Sequence, residues 1–390
     1  MLFKTIGTKH KHKIMIYKTT IFLFLFLTLF SCKTATDKDE IPAKAKNVIL
    51  LIGDGTGLSQ ISAAFYFKET SPNFARFNSI GLINTASSRQ NITDSAAGAT
   101  AFASGIKTYN GAIGVANDSS EVKTLVEIVS PKNIKTGVVA TSSIQHATPA
   151  SFYAHVINRG LYEDIAVDMV DSDIDFFAGG GRKFFNKRKD GQNLLGDLEA
   201  KGFGIDTLAL GNFEEVKQYS KMAYILAEDS MDPVAKGRGD FLPKATELGI
   251  QFLNKDEEHS NFFIMIEGSQ IDWGGHANDA DYLISELIDF DDAIGVALDF
   301  AEKDGNTLVL VTGDHETGGF TLSSTPKQTE EGKSYSDYNE ITGTFSTTGH
   351  SATLIPVFAY GPGSEAFSGV YENTEIFHKI MEATNWSNRD

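Results

Sequence analysis

The chain alternates short, continuous apolar runs with longer segments in which apolar residues recur every three or four positions. The short runs are typical of parallel strands that helices cover on both faces. They lie at residues 48–52, 136–141, 175–181, 222–226, 261–266, 307–312 and 352–360. The longer segments have the period of helices that pack one face against a sheet. They lie at residues 58–67, 96–104, 241–254, 280–303 and 372–384.

Strands that alternate with helices predict a doubly wound, mostly parallel sheet. With a helical layer on each face, this is a three-layer α/β/α architecture. Residues 316–349 are polar and contain no strong apolar run, so we expect them to form a small surface insertion. Neither a repeat nor a linker interrupts the pattern after residue 46. The sequence therefore predicts a single domain at residues 47–390.

The first 46 residues have a different composition. Lys18 precedes an apolar run at residues 21–30 that is too short to span a bilayer and is typical of a signal-peptide core. The run ends in a Leu-Phe-Ser-Cys box that resembles a lipoprotein cleavage site, with Cys32 as the lipidated residue. An ordinary secretory signal is the alternative, and Met15 is an alternative start. We expect a signal peptide at 1–31, a flexible tether at 32–46, and an exported protein, either periplasmic or an outer-membrane lipoprotein.

Charge and cysteine content narrow the class of partner. The chain has 390 residues and a formal net charge of −17. Residues 1–31 contain five lysines and no acid, so the predicted domain is more negative still. Such an acidic body argues against nucleic acid as a partner. An anionic substrate would therefore need local positive charge, from metal ions or a buried arginine. Cys32 is the only cysteine, which excludes an intramolecular disulfide.

Three of the apolar runs end in an acid beside a glycine, at Asp54, Glu267 and Asp314. In open α/β sheets, ligands bind outside the carboxyl ends of the strands. Further candidate ligands follow close behind or precede the last strand, and these are Asp272, His276, His315 and His350. Carboxylates with imidazoles suit Zn²⁺, whereas an all-oxygen set suits Mg²⁺. Taken alone, His276 or His350 is more often a structural histidine, but together these residues predict a site for several metal ions.

A candidate nucleophile lies in the run Thr93-Asp94-Ser95-Ala96-Ala97. The alanine-rich segment after it predicts a helix, so Ser95 lies in the first turn. There, free backbone N–H groups and the helix dipole favour negative charge. The alternative is that Asp94 or Ser95 only caps the helix. No histidine is placed as an obvious base in the sequence, so a metal ion is the natural activator of the serine hydroxyl.

Taken in order, several motifs are similar to those of bacterial alkaline phosphatases. They are Asp54-Gly55, Thr93-Asp94-Ser95-Ala96-Ala97, Lys107-Thr108-Tyr109-Asn110-Gly111, His146-Ala147-Thr148-Pro149, Glu267-Gly268-Ser269-Gln270-Ile271-Asp272, Asp314-His315-Glu316 and Thr348-Gly349-His350. The resemblance extends from about Asn47 to Trp386. It is strongest to the small, cold-active members that have a tryptophan after the zinc-ligand aspartate. It implies a homodimeric enzyme that hydrolyses phosphate monoesters through a phosphoserine, with two zinc ions and one magnesium ion per chain.

The resemblance also implies a role for individual residues. Ser95 would be the nucleophile, Arg159 would hold the phosphate, and Asp94 would orient the arginine. The first zinc would be bound by Asp272, His276 and His350. The second zinc would be bound by Asp54, Asp314 and His315 together with the Ser95 oxygen. The magnesium would be bound by Asp54, Thr148 and Glu267.

Two residues depart from the best-known enterobacterial pattern. His146 stands in place of an aspartate, and Trp273 stands in place of a lysine. His146 could bind the third metal ion or stack against Trp273, so the identity of that ion stays open. Because a lysine that would help to hold phosphate is missing, we expect easier product release and a higher turnover number.

Three other functions compete with this one. A sulfatase needs Cys or Ser followed by x-Pro-x-Arg, whereas Ser95 is followed by Ala96-Ala97-Gly98. A phosphodiesterase is less expected because the planar fork of Arg159 suits two free oxygens of a monoester. A non-catalytic metal- or phosphate-binding surface lipoprotein would not need both Ser95 and Arg159. His155 is expected to be structural, and His259 and His378 are expected at the surface.

Overall fold

The computed structural model describes residues 44–256 and 261–386. The predicted signal peptide, Cys32, most of the predicted tether and His259 lie outside these residues. Within the two described ranges, no helix combines the length and the apolar composition that crossing a membrane requires.

Strands and helices alternate along most of the described chain. The strands are β1 (Asn47–Gly53), β2 (Ser79–Asn84), β3 (Ile134–Ser143), β4 (Phe176–Gly180), β5 (Phe203–Asp206), β6 (Lys221–Ile225), β7 (Asn261–Gly268), β8 (Thr307–Thr312), β9 (Glu316–Thr317), β10 (Thr321–Gln328), β11 (Ser334–Thr344), β12 (His350–Ser351), β13 (Ile355–Tyr360) and β14 (Gly369–Glu372). The helices are α1 (Leu58–Phe67), α2 (Ser95–Ser104), α3 (Leu125–Val129), α4 (Ala147–Ala150), α5 (Tyr162–Asp171), α6 (Arg182–Asn186), α7 (Leu194–Ala200), α8 (Phe213–Val216), α9 (Phe241–Leu253), α10 (Gln270–Ala277), α11 (Ala280–Asp304) and α12 (Glu375–Thr384).

Ten of the strands form one sheet, in the order β14-β2-β13-β8-β1-β7-β3-β4-β6-β5. Its strand pairs are parallel except those of β13, which is antiparallel to both β8 and β2. Along β1, Val48 and Leu50 face one hydrophobic cluster, while Ile49 and Leu51 face another. Because helices cover both faces, every side chain of β1 is buried, and the strand reads as a continuous apolar run. The predicted three-layer α/β/α fold with a mostly parallel sheet is confirmed.

Some of the elements that the sequence pattern missed lie at one edge of the large sheet or outside it. The helix predicted at 372–384 begins only at Glu375, because Gly369–Glu372 is a strand that pairs with β2. Within the predicted insertion at 316–349, β10 and β11 form a largely exposed antiparallel hairpin. The first two residues of that segment differ from the hairpin. Glu316 and Thr317 are buried and pair with His350–Ser351.

Helix α11 anchors the segment that follows α1 through a buried aspartate. Asp291 is fully buried, and one of its oxygens accepts hydrogen bonds from Lys68 Nζ at 2.5 Å and from the backbone N–H of Asn73 at 2.9 Å. Its other oxygen accepts from the backbone N–H of Phe74 at 3.1 Å. Both oxygens of this carboxylate are therefore satisfied by the protein itself.

Candidate active site

The three acids that end apolar runs meet at the carboxyl edge of the sheet. In the register of the sheet, Ile52 of β1 lies beside Glu267 of β7 and Thr312 of β8. Asp54 comes directly after β1, and the backbone N–H of Gly55 donates to Asp314 Oδ1 at 3.1 Å. Gly55 has φ +70°, which favours glycine, and a side chain there would come within 2.8 Å of the backbone of Asp272. This turn therefore lets the acids approach one another.

Ser95 is the first residue of α2, and its side chain faces these acids. Asp94 caps the helix, because its Oδ1 accepts from the backbone N–H of Ala97 at 3.1 Å. Ser95 is only 2% exposed. Its Oγ lies 3.3 Å from His315 Nε2 and 3.5 Å from Asp54 Oδ1. The cap is thus Asp94, and the serine hydroxyl remains directed at candidate metal ligands.

Arg159 faces the same site and is held on both sides. Its Nη1 donates to Asp94 Oδ2 at 3.0 Å, and its Nη2 lies 3.4 Å from His146 Nε2. The backbone N–H of Gly111 donates to the same Asp94 oxygen at 3.0 Å. The backbone N–H of Arg159 in turn donates to the Gly111 carbonyl at 2.7 Å. The guanidinium is therefore oriented before any anion binds.

The candidate metal ligands form overlapping groups. In three trios, the ligand atoms lie within 4.8 Å of one another, and these are Asp54–Asp314–His315, Asp272–His315–His350 and Asp54–His146–Glu267. His276 completes the second group, because its Nε2 is 3.1 Å from His350 Nε2 and 3.4 Å from Asp272 Oδ2. The structure thus brings together all the acids and histidines that the sequence predicts as metal ligands.

Two of these histidines direct their Nε2 atoms toward each other. His276 Nδ1 is 2.6 Å from the carbonyl of Thr348, and His350 Nδ1 is 2.9 Å from the carbonyl of Thr93. Since a carbonyl only accepts, each Nδ1 is assigned a hydrogen. The two Nε2 atoms are 3.1 Å apart, so a single ion could contact both. This arrangement fits a metal ion, because metal-bound histidines usually donate their other nitrogen in this way.

Three buried carboxylates each have one oxygen without a hydrogen-bond donor. Asp54 Oδ2, Asp314 Oδ2 and Glu267 Oε1 are buried, and no described residue donates a hydrogen bond to them. Burial raises the pKa of Asp54 well above its usual value, and the charges of Asp314, Asp272 and Glu267 raise it further. Burial is likewise the main cause that raises the pKa of Asp314, and that of Glu267 to about 7. Keeping these carboxylates ionised inside the protein costs free energy, and bound cations would offset that cost. The donor set therefore fits divalent metal ions.

Glu267 has one oxygen satisfied and one available. Its Oε2 accepts from Ser269 Oγ at 2.5 Å and from Ser142 Oγ at 3.2 Å. Its Oε1 is buried and accepts no hydrogen bond that meets standard geometry among the described residues. Glu267 groups with Asp54 and His146, and the hydroxyl of Thr148 is buried beside it. The two serines therefore leave one carboxylate oxygen of Glu267 available for a ligand.

His146 contacts Trp273 as well as the acids. The two rings are 6.0 Å apart and nearly perpendicular, at 78°. Burial lowers the pKa of His146 to about 3, and the nearby Arg159 lowers it further, so the imidazole is neutral. Both expectations for His146 are therefore geometrically compatible, because the ring packs edge-on against Trp273 and also faces Asp54 and Glu267.

His155 makes the structural contacts expected of it. Its Nδ1 is 2.7 Å from the carbonyl of Gly114, and its Nε2 is 3.1 Å from Glu127 Oε1. The hydrogen bond with Glu127 is the main cause that raises the pKa of His155 to about 9. His378 is exposed, as predicted.

Three polar residues beside the site were not singled out in the sequence. They are Ser142, Ser269 and Thr317. Each of them lies within five residues of a predicted ligand and close to a strand end. The hydroxyls of Ser142 and Thr317 reach carboxylates that are 125 and 45 residues away along the chain, and no spacing rule predicts such contacts. Ser269 instead donates to Glu267, two residues before it.

A doubly wound sheet whose carboxyl edge gathers acids and histidines around a buried serine is typical of metal-dependent hydrolases. A family model described as alkaline phosphatase matches residues 45–344 and 325–386. Alkaline phosphatase 3 of Bacillus subtilis is 35% identical, over 91% of each chain. Alkaline phosphatase of Escherichia coli is 29% identical, over 90% of this chain and 88% of its own. The chain belongs to the alkaline phosphatase family.

Solved structures agree with this membership. The alkaline phosphatase of the Antarctic bacterium TAB5 is 63% identical, with a TM-score of 0.86, over 88% of this chain and 99% of its own. The cold-active enzyme of Shewanella is 30% identical, with a TM-score of 0.77, over 87% of this chain and 99% of its own. The resemblance recognised in the sequence, including that to cold-active members, is therefore confirmed.

Proposed function

We propose that this chain hydrolyses phosphate monoesters through a phosphoserine on Ser95, with two zinc ions and one magnesium ion. The observation that carries the proposal is the position of the Ser95 hydroxyl. It is 3.3 Å from a neutral imidazole nitrogen of His315 and 3.5 Å from Asp54, beside carboxylate oxygens without donors. A serine in that position is poorly nucleophilic alone and is activated by bound cations.

Each group of side chains has a separate task. Asp272, His276 and His350 would hold the first zinc. Asp54, Asp314 and His315, with the Ser95 oxygen, would hold the second. Asp54, Thr148 and Glu267 would hold the magnesium, with His146 beside it. When bound, such ions lower the pKa of a hydroxyl and stabilise charge on the attacking and leaving oxygens.

The remaining steps belong to the chain itself. Arg159 would bind two non-bridging oxygens of the phosphate, in the orientation that Asp94 and His146 give it. Ser95 Oγ then forms a bond to phosphorus while the ester P–O bond breaks and the alcohol leaves. Water hydrolyses the phosphoserine, which releases phosphate and restores the serine. A monoester offers these two oxygens with no second ester group beside them, whereas a diester has a substituent near them, so Arg159 favours monoesters.

Magnesium is the proposed ion beside Glu267. Three oxygen donors, from Asp54, Thr148 and Glu267, suit this hard cation, whereas His146 suits it less. In a variant of the TAB5 enzyme that has aspartate in place of one histidine, magnesium is bound in the M3 site. This observation supports a third metal site in the present chain that can hold magnesium.

Location and assembly are also proposals. The apolar run at residues 21–30 and the Cys32 box support export, with a lipid anchor on Cys32 as the route to the outer membrane. The family resemblance supports a homodimer.

The decisive experiment replaces Ser95 by alanine and measures both activity and bound metal. We expect Ser95→Ala to reduce monoester turnover by on the order of 10³-fold or more while zinc is retained, because only the nucleophile is removed. Ser62→Ala, a serine on the exposed side of α1, is the matched control. Undiminished turnover in Ser95→Ala would reject the serine assignment. A diester and a sulfate ester, assayed with and without a chelator, test the competing activities.

A further inference from the structure

A buried hydroxyl joins two parts of the candidate site. Thr317 lies in β9, two residues after His315, and is fully buried. Its Oγ1 is 2.5 Å from Asp272 Oδ1 and 3.2 Å from His315 Nδ1. Asp272 comes from α10, whereas His315 follows β8. One side chain therefore touches a proposed ligand of the first zinc and a proposed ligand of the second.

The direction of these hydrogen bonds follows from what each group can donate. An ionised carboxylate only accepts, so the single hydrogen of the Thr317 hydroxyl goes to Asp272. The hydroxyl oxygen is then free to accept from His315, which assigns the imidazole hydrogen to Nδ1. The lone pair of His315 consequently lies on Nε2, which is 3.3 Å from Ser95 Oγ and 3.5 Å from Asp54 Oδ1.

The backbone holds this threonine firmly in place. Its N–H donates to the carbonyl of Gly55 at 3.1 Å, and its carbonyl accepts from Gln60 Nε2 at 3.0 Å. It also pairs with His350 across the short ladder of β9 and β12. A side chain at Gly275 would come within 3.0 Å of Thr317 Cβ, so α10 packs directly against it. The hydroxyl therefore has little freedom to choose other partners.

We propose that Thr317 is a positioning residue that couples the two zinc sites. Its hydroxyl orients Asp272 for the first ion and fixes the tautomer of His315 for the second, so each bound ion favours the binding of the other. The proposal rests on the proposed function for the assignment of Asp272 and His315 to two zinc ions. Residues that orient ligands in this way commonly contribute about 10- to 100-fold to metal affinity.

The test compares Thr317→Val, which keeps the shape but removes the hydroxyl, with Thr317→Ser, which keeps the hydroxyl. Each purified zinc-loaded protein is equilibrated with increasing chelator, and zinc per chain is measured by elemental analysis. We expect the wild-type protein and Thr317→Ser to release both ions over one chelator range. We expect Thr317→Val to release zinc in two steps, the first at about 10- to 100-fold lower chelator concentration.

Thr246→Val is the matched control for the loss of a buried hydroxyl. Thr246 is fully buried in α9, and its hydroxyl donates only to the carbonyl of Leu242. This variant should release zinc like the wild-type protein. If Thr317→Val also released zinc like the wild-type protein, the proposed coupling would be wrong.

A second measurement uses the wild-type protein, so it does not depend on whether Thr317→Val folds. In the chelated wild-type chain labelled with ¹⁵N-histidine, the nitrogen shifts report which ring nitrogen carries hydrogen. His315, assigned by the signal lost in His315→Gln, should be the Nδ1–H tautomer. An Nε2–H tautomer would overturn the proposal. If the wild-type protein bound no zinc, the proposed function would fail instead, while the tautomer would still test the contact.

Discussion

Two fully buried aspartates in this structure have opposite surroundings. Asp291, on α11, receives hydrogen bonds from Lys68, Asn73 and Phe74, and neither of its oxygens lacks a donor. Asp54, at the end of β1, has one oxygen without any donor among the described residues, and its pKa is raised well above its usual value. Both side chains are 0% exposed, so burial alone does not distinguish them.

This difference distinguishes buried carboxylates that stabilise the fold from buried carboxylates that are available to bind a ligand. A carboxylate whose oxygens are satisfied by the chain contributes to the fold, and removing it leaves its partners unpaired. A buried carboxylate that the chain leaves unsatisfied destabilises the fold, which makes it a candidate ligand-binding group. Asp314 and Glu267 share the situation of Asp54, which places the proposed metal-binding function at one edge of the sheet.

The largest effect is expected from Asp54→Asn, which removes the unsatisfied charge. Monoester turnover should fall by on the order of 10³-fold, because a group shared by two proposed metal sites is lost. The metal-free variant at pH 9 should be more stable than metal-free wild type by about 1 kcal/mol, because a buried charge without a donor is gone. Activity assays and urea unfolding with chelator check both expectations. If the metal-free variant were less stable than metal-free wild type, the contrast drawn between Asp54 and Asp291 would be wrong.

The opposite pattern is expected for Asp291→Ala. Lys68 would be left buried without its main partner, so the free energy of unfolding should fall by about 3 kcal/mol or more, while turnover per folded molecule changes little. Asp292→Ala is the matched control, since Asp292 also pairs with Lys68, at 2.7 Å, but is 52% exposed. In this control, the free energy of unfolding should fall by less than about 1 kcal/mol. Urea unfolding of both variants checks the prediction, and equal losses would contradict it.

A smaller effect, dependent on pH, is expected at the paired His155. The unfolded pKa of histidine is about 6.5, and the pKa of His155 in the folded protein is raised to about 9. The pair with Glu127 therefore stabilises the fold fully below pH 6.5, and its contribution is lost as pH rises through 9. Because Glu127 is partly exposed, we expect about 1 to 2 kcal/mol.

The variant Glu127→Gln tests this pH dependence. Its free energy of unfolding should lie below that of wild type at pH 6 and approach it at pH 10. Urea unfolding across this range gives both curves. A constant difference between them would mean that the pair does not titrate as described.

The smallest effect is expected at the third site. The double variant His146→Asp with Trp273→Lys should bind magnesium more tightly, because an acid replaces an imidazole beside Glu267. The added lysine should hold phosphate longer and reduce the turnover number by about two- to tenfold, a change in barrier of about 1 kcal/mol. Turnover at saturating magnesium measures this effect. A higher turnover number in the double variant would show that the expectation of faster product release is wrong.

Much of the fold was predictable because covered parallel strands leave continuous apolar runs. The runs around Val48 and Leu308 correspond to β1 and β8, and the acids after them lie at the predicted edge. Strand β2, which lies beside the edge strand β14, was not predicted because its pattern mixes exposed and buried positions. The hairpin of β10 and β11 has no fully buried position and is mostly polar, so no apolar alternation marks it.

The candidate site was predictable only as far as its motifs extend. Residues that would contact metal or phosphate have fixed chemical types and recognisable neighbours, as Ser95 and His315 do. Thr317 has neither, because a hydroxyl that orients a ligand depends on three-dimensional contact with Asp272, 45 residues earlier. Local spacing in the sequence does not reveal contacts between residues that are far apart along the chain. Supporting residues of this kind could therefore be identified only from the structure.

Asp94 has a mechanical consequence for the site. One of its oxygens caps the helix that begins at Ser95, and the other holds Arg159 and the loop at Gly111. The side chain of Asp94 is thus hydrogen-bonded both to the helix that carries the serine and to the arginine. If α2 shifts during thermal motion, the guanidinium is carried in the same direction, and the gap between the two groups changes little. The surrounding protein can therefore fluctuate while the distance between the proposed nucleophile and the proposed phosphate-binding group stays nearly constant.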